Sequence, residues 1–279
     1  MYSIQQALNS NLPYFGRNAV GIGAPLFRYS VLRSLVKWVE NRRPGKAIKI
    51  LEVGSWIGAS ALIFARSIEE FNEGNGLITC VDSWIPYIDT DVNNGYEHIV
   101  MTAALEKDAA YELFLHNCRT CRIDHVIEIK RGNSKTVLPE LIGNQYDIIY
   151  LDGDHSFEMA FSDIDISKDL IAEGGILCGD DLEKQYDDVD PKIVEEGIRK
   201  NKDYILLDDK VSGFHPGVTK AVHQAIGKSS MIGCVWFMQC VGDELIQISD
   251  IEVERIVPEE LLTFSPRDFG AFNPQYRPW

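Results

Sequence analysis

Two rhythms of apolar residues alternate along this chain. Continuous apolar or β-branched runs occupy Ala47–Val53, Leu77–Val81, His125–Lys130, Tyr146–Leu151 and Gly175–Cys178. They are too uninterrupted for a sheet with one solvated face, and predict buried parallel strands. Helical spacing falls between and before them. Leu32, Leu35, Val36 and Val39 form one stripe across residues 26 to 42, which ends in Asn41-Arg42-Arg43-Pro44-Gly45, a cationic last turn followed by a stop. Further helices are predicted at Ala59–Phe71, Ser134–Leu141 and Ser156–Ile171, the last with Ser156 as cap and Phe157, Phe161, Ile164 and Ile171 along one face. Strand and helix in alternation imply a mostly parallel α/β sheet covered on both faces.

The last third follows another pattern. Val218, Ala221, Val222, Ala225 and Ile226 make a helical stripe closed by Gly227, and Met231–Cys240 reads as one long buried strand. The turn Val241-Gly242-Asp243 leads into Glu244–Ser249, which predicts a closing antiparallel hairpin and seven strands in all. Residues 83–124 and 182–216 are insertions after strand ends, where open α/β sheets bind ligands, and are expected to wall the substrate. The expected organisation is a helical extension over 1–44, the main domain over 45–252, and a tail over 253–279 whose aromatic and proline-rich end, Phe264–Trp279, is expected to pack on its own or a neighbouring subunit.

The first strand breaks into Glu52-Val53-Gly54-Ser55-Trp56-Ile57-Gly58 and enters a helix. Gly54 lets a ligand approach the main chain, and Gly58 opens a helix whose first N–H groups are free donors, an arrangement that suits a nucleoside cofactor. The spacing departs from the GxGxxG dinucleotide fingerprint, and the bulky Trp56 stands where a pyrophosphate needs close backbone approach. A cofactor without phosphates tolerates that better. Asp82 closes the second strand 28 residues beyond Gly54 and can accept both ribose hydroxyls, or serve as a turn residue. Gly132-Asn133-Ser134 suits an adenine edge, although Ser134 can simply cap the next helix.

Asp152 and Asp154 end the fourth strand, and Asp180 and Asp181 the fifth. If these strands are neighbours, four carboxylates converge. Uncompensated, they repel one another, and a hard divalent cation on oxygen ligands, Mg²⁺, Mn²⁺ or Ca²⁺ rather than zinc, is the simplest remedy. The alternative is an exposed acidic loop at Asp180-Asp181, with Asp152 accepting backbone N–H groups. His155 follows as a general base, a substrate contact or a turn residue. His98, His116, His125, His215 and His223 are expected to lack acid partners of the kind His155 has and are set aside.

Composition narrows the class. A chain of 279 residues, 45% hydrophobic, can bury a full core, while 42 acidic against 27 basic residues and a net charge of −15 disfavour nucleic acid. The absence of a cationic, apolar leader or a bilayer-spanning run leads to the expectation of a cytoplasmic protein without a membrane partner. Six cysteines, several inside strand-like runs, are expected to be reduced, and Cys118-Arg119-Thr120-Cys121 lacks the second pair that a zinc set needs.

The motifs Leu51-Glu52-Val53-Gly54-Ser55-Trp56-Ile57-Gly58, Val81-Asp82-Ser83-Trp84, Tyr150-Leu151-Asp152-Gly153-Asp154-His155 and Gly174-Gly175-Ile176-Leu177-Cys178-Gly179-Asp180-Asp181 occur in that order. Together they resemble class I S-adenosylmethionine-dependent methyltransferases, most of all the branch of macrolide and aminocoumarin sugar O-methyltransferases, across about residues 45 to 250. The resemblance implies a Rossmann-like fold with S-adenosylmethionine near Glu52, Gly54, Ser55, Gly58, Asp82, Ser83, Asn133, Ser134 and Asp152. It also implies Mg²⁺ on Asp152, Asp180 and Asp181, with Asp154 as base. Trp56 and His155 depart from the family pattern, so the proton acceptor stays open between Asp154 and His155.

The expected reaction is methyl transfer to a hydroxyl of a small molecule or sugar, with a cation lowering the hydroxyl's pKa. Competing readings are a metal-independent transferase using His155, an NAD-dependent dehydrogenase, and a cofactor-binding protein without transfer activity. The leading helix and aromatic tail offer surfaces for a homo-oligomer.

Overall fold

The structure is a computed structural model that describes residues 4–15, 26–208 and 212–262; the predicted packing of Phe264–Trp279 lies outside them. A short helix α1 (Ile4–Leu8) precedes α2 (Leu26–Arg42). The alternating core then runs β1 (Ile48–Val53), α3 (Ala59–Asn72), β2 (Gly76–Asp82), α4 (Tyr96–Leu105), α5 (Ala109–Thr120), β3 (Ile127–Arg131), α6 (Ser134–Glu140), β4 (Tyr146–Leu151), α7 (Phe157–Ser167) and β5 (Ile171–Gly179). It continues through α8 (Pro191–Arg199), β6 (Ile205–Leu206), β7 (Gly213–Phe214), α9 (Pro216–Ile226), β8 (Ser230–Ile232), β9 (Val235–Val241), β10 (Glu244–Ile246) and α10 (Glu259–Leu262).

The main sheet is ordered β10-β9-β5-β4-β1-β2-β3, with β8 also paired to β9. The β1–β2, β1–β4, β2–β3 and β4–β5 pairs are parallel, whereas β9 runs antiparallel to β5, β8 and β10. This is the expected Rossmann-like sheet with an antiparallel C-terminal edge. Alternate strand residues enter opposite cores, as a period of two demands. Ile48, Ile50, Ile148, Tyr150, Ile176 and Cys178 join α2, α3 and α5 on one face. Leu51, Val53, Ile149, Leu151 and Leu177 join α6, α7 and α9 on the other.

Three predicted elements differ. The long strand expected over Met231–Cys240 is broken at Gly233, which takes a left-handed φ of 65°, so the sheet has eight strands where seven were expected. The helix expected to reach Ile171 stops at Ser167, because Ile171 pairs with Tyr146 at the start of β5. The second insertion, for which no element was predicted, contains α8, whose Asp190 side chain accepts from the Lys192 N–H and whose first residue is Pro191. It also holds the two-stranded β6–β7 sheet. The six cysteines are free. Among the described residues, no helix is long and apolar enough to cross a membrane.

Candidate active site

The turn after β1 is built by backbone conformation. Gly54 (φ 87°) donates to the Val81 carbonyl at 2.9 Å, and a Cβ placed on it would come within 1.9 Å of the Asp152 carbonyl oxygen. The close approach expected of a ligand is therefore taken by the end of β4, and Gly54 is demanded by the fold itself. Gly58 caps α3 with a φ of 87°. Between the two glycines Trp56 is left-handed at 47°, as is Trp84 at 49°. Asp82 holds both in place. Its Oδ2 accepts the Trp56 N–H at 2.9 Å and its Oδ1 accepts the Trp84 N–H at 2.7 Å, while the Trp84 indole donates to the Trp56 carbonyl at 2.7 Å. Each Asp82 oxygen retains lone-pair capacity for a hydroxyl.

Three buried polar atoms of this turn, Glu52 Oε1, Ser55 Oγ and Trp56 Nε1, make no hydrogen bond of good geometry, although the Ser55 and Ser60 hydroxyls lie near enough to the Glu52 carboxyl to act against its rise in pKa. Native interiors seldom leave such groups unsatisfied, so the cluster fits a polar ligand part. Glu52 lies on the α2–α3 face, with its other oxygen accepting from the Cys80 thiol at 3.3 Å. Burial pushes its carboxyl up to about 7. On β3's far side, Asn133 and not Ser134 caps α6, accepting from the Lys135 N–H at 2.9 Å. Ser134 is buried, and the Ser83 hydroxyl accepts from the Ile85 N–H at 3.3 Å.

The ends of β4 and β5 meet at a cavity of about 30 Å³ lined by Asp152, Asp154, Asp180 and Asp181 together with His155. The adjacent aspartates of β5 do not act together. Asp180 keeps the strand alternation of Cys178 and meets Arg28 of α2, which pairs with it and stands 3.3 Å from Asp152. Asp180 also accepts from the Cys234 thiol at 2.9 Å, and Asp152 from the Tyr150 hydroxyl at 3.0 Å. Asp181, left-handed at φ 61°, turns to His155 Nε2 at 2.9 Å. The expected metal set Asp152, Asp180 and Asp181 is thus split. Groups of donor atoms within 4.8 Å of one another are Asp152 with His155 and Asp181, and two neighbouring groups built on His215; Asp180 belongs to none of them.

His155 is the centre of this edge. Its Nδ1 lies 2.9 Å from Asp203 Oδ1, so carboxylates face both ring nitrogens. Burial opposes a charged ring, but Asp203 and Asp181 outweigh it and raise the pKa well above the ordinary histidine value. Burial likewise opposes ionisation of Asp203 and Asp181, yet the histidines hold both well below the usual carboxylate range. Asp154 contributes differently: its Oδ1 accepts the Ser156 N–H at 2.8 Å and shapes the entry to α7, where Ser156 occupies the cap position without a side-chain cap bond.

Histidines set aside on sequence grounds do have acidic partners. His98 Nε2 lies 2.8 Å from Asp203 Oδ2, and His215 Nδ1 lies 3.0 Å from Glu183 Oε1 and 3.8 Å from Asp181. The His155 and His215 rings meet edge to face at 4.7 Å. Arg28, Asp203 and His215 were missed because each reaches the site from a distant segment with no motif of its own, and Glu183, two residues past Asp181, was missed because its partner His215 is distant.

An α/β sheet of this order, with a glycine turn after its first strand and an acidic edge after its fourth and fifth, is a Rossmann-like fold. Residues 51–182 match the model of a family described as a methyltransferase domain. Similar solved structures include the O-methyltransferase NovP, 17% identical over 77% of this chain and 80% of that one at a TM-score of 0.48. The calicheamicin methyltransferase CalS11 is 12% identical over 75% and 77% at 0.48, and an O-methyltransferase from Bacillus cereus in complex with SAH is 16% identical over 85% and 88% at 0.46. None of the curated proteins compared matches the sequence.

Proposed function

We propose that this chain transfers the methyl group of S-adenosylmethionine to a hydroxyl oxygen of a small molecule, a sugar being the leading class. One juxtaposition carries the reading: a turn lined by buried polar atoms without a well-formed hydrogen bond touches, through Gly54 and Asp152, the strand end that presents His155. Glu52, Ser55 and Trp56 would take the polar groups of the cofactor, with Gly58 opening the helix beside them. Asp82 would take the ribose hydroxyls, beside Ser83, and Asn133 and Ser134 would line the adenine end.

The sulfonium already makes the methyl electrophilic, so the protein must align the acceptor oxygen and remove its proton. Asp154 and His155 are the two candidate bases. Asp154 spends one oxygen on the turn, whereas His155 faces Asp203 at Nδ1 and Asp181 at Nε2 and takes a proton only after releasing one.

The donor set fits a divalent cation held by Asp152 and Asp181, since Mg²⁺ is commonly bound through one or two carboxylates and keeps several waters. When bound, such an ion lowers the pKa of the acceptor hydroxyl. The bridging Arg28 favours a second reading, in which its guanidinium supplies the positive charge at Asp152 and Asp180.

Labelled methyl transfer to pooled hydroxyl acceptors, run with Mg²⁺ and with EDTA, tests both, alongside calorimetric titration of S-adenosylmethionine. Binding and transfer are expected. Transfer that survives complete chelation selects the second reading, and failure to bind the cofactor overturns the function.

A further inference from the structure

We propose that Asp163 of α7 selects the base of the cofactor, its carboxylate accepting the exocyclic amine of a 6-aminopurine. This rests on the reading of the chain as one that binds S-adenosylmethionine. Asp163 is 3% exposed, and its Oδ1 makes no hydrogen bond of good geometry. Burial pushes its carboxyl up to about 7, and Asp154 adds to the rise, while the Ser134 hydroxyl and Lys135 offset only part of it. Native interiors seldom keep a carboxyl so short of donors, and a ligand donor would complete it.

Its place in the fold indicates which donor. Asp163 lines the cavity of about 30 Å³ at the turn after β4, together with Gly153 and Asp154. A space of that size takes one water or one amine group, and no purine ring. Gly153 keeps the approach open, since a Cβ there would lie 3.5 Å from Val53 Cγ1 and 3.7 Å from Asp163 Oδ2. On the other side stands Ser134, the first residue of α6, with its hydroxyl near enough to ease ionisation of Asp163. Asp163 thus lies between the end of β1, which leads into the glycine turn, and the start of α6, where the adenine end is assigned.

Neighbouring side-chain acceptors already hold a backbone N–H. Asn133 Oδ1 takes that of Lys135 at 2.9 Å, and the Ser83 hydroxyl takes that of Ile85 at 3.3 Å. Asp163 Oδ1 holds none. An ionised carboxylate can only accept, so it matches an amine and opposes the keto oxygen of a 6-oxopurine. A buried group built to bond a ligand N–H rejects the analogue that lacks it.

The test compares S-adenosylhomocysteine with S-inosylhomocysteine, which carries a keto oxygen in place of the amine. Both are titrated calorimetrically into the full chain and into Asp163→Leu and Asp163→Asn, at pH 8, where a carboxyl of pKa about 7 is ionised. Wild type is expected to bind the adenosyl ligand about 10- to 100-fold more tightly. Asp163→Leu should weaken the adenosyl ligand about ten-fold and leave the inosyl ligand unweakened. Asp163→Asn should strengthen the inosyl ligand, because the amide can turn its NH₂ to the keto oxygen, a gain that a merely structural carboxylate would not give. Equal binding of the two ligands by wild type, or an unchanged ratio in either variant that folds, overturns the role of Asp163 and leaves the cofactor reading intact. Wild type that binds neither ligand overturns the cofactor reading, and the role of Asp163 with it.

Discussion

The guanidinium of Arg28 stands 3.3 Å from the Asp152 carboxylate and pairs at the same time with Asp180, joining the helix before the first strand to the ends of the fourth and fifth. Both aspartates are thereby compensated from a segment with no resemblance to any site motif. Burial weighs against a charged guanidinium here, but Tyr150 and Asp152 more than offset it, and the Arg28 pKa is raised.

Removing that cation leaves the buried Asp180 and the half-buried Asp152 without their positive partner. Arg28→Met is expected to cost about 3 kcal/mol of stability, read as a shift in the urea midpoint, and Mg²⁺ should restore part of it. A variant as stable as wild type would show that Asp152 and Asp180 do not depend on Arg28.

Glycines 54 and 74 separate crowding from backbone strain. Both have positive φ, 87° and 78°, but a Cβ on Gly54 would meet the Asp152 carbonyl at 1.9 Å and one on Gly74 would meet nothing within 4 Å. Gly74→Ala should cost about 1 kcal/mol, and Gly54→Ala about 4 kcal/mol or more, or abolish folding. Equal losses of thermal stability would refute the close approach of β1 and β4.

Asp82 anchors two left-handed tryptophans through their N–H groups at 2.9 and 2.7 Å. Asp82→Ala should lower stability by about 2 kcal/mol and weaken S-adenosylmethionine binding in calorimetry. A stability loss with unaltered cofactor affinity would confine Asp82 to the turn.

Glu52 gives a pH dependence with a definite sign. Burial raises its folded pKa to about 7, above the value near 4.5 expected in the unfolded chain. The folded state therefore binds more protons across that interval, and stability falls as pH rises from about 4.5 to about 7. Glu52→Gln removes this loss, so the variant should gain about 2 to 3 kcal/mol over wild type at pH 8 and little at pH 4. Urea unfolding at both pH values measures it; an equal difference at both would contradict the buried, shifted carboxyl.

Much of the fold was legible because buried parallel strands are continuously apolar. Strands β1 to β5 appear within a few residues of expectation, and the stripe Leu32, Leu35, Val36 and Val39 is buried in α2. The misses have local causes. Gly233 breaks an apolar run that periodicity alone reads as one strand, and Ile171 fits a helical face as well as a strand start. The cap Asp190-Pro191 was a readable helix signal inside a segment read only as an insertion.

The sequence by itself determined the sheet class, the glycine turn and the four aspartates at two strand ends, since hydrophobic period and turn residues act over short spans. Tertiary structure decided which of those groups work together. Asp180 keeps the strand alternation and went to Arg28, while Asp181 leaves it in a left-handed turn toward His155. Asp203 and His98 meet at the site where Asn93 bonds Asn201 and Asp203, more than 100 positions further along the chain. Such pairings depend on where distant segments dock, and no local pattern of residues encodes that.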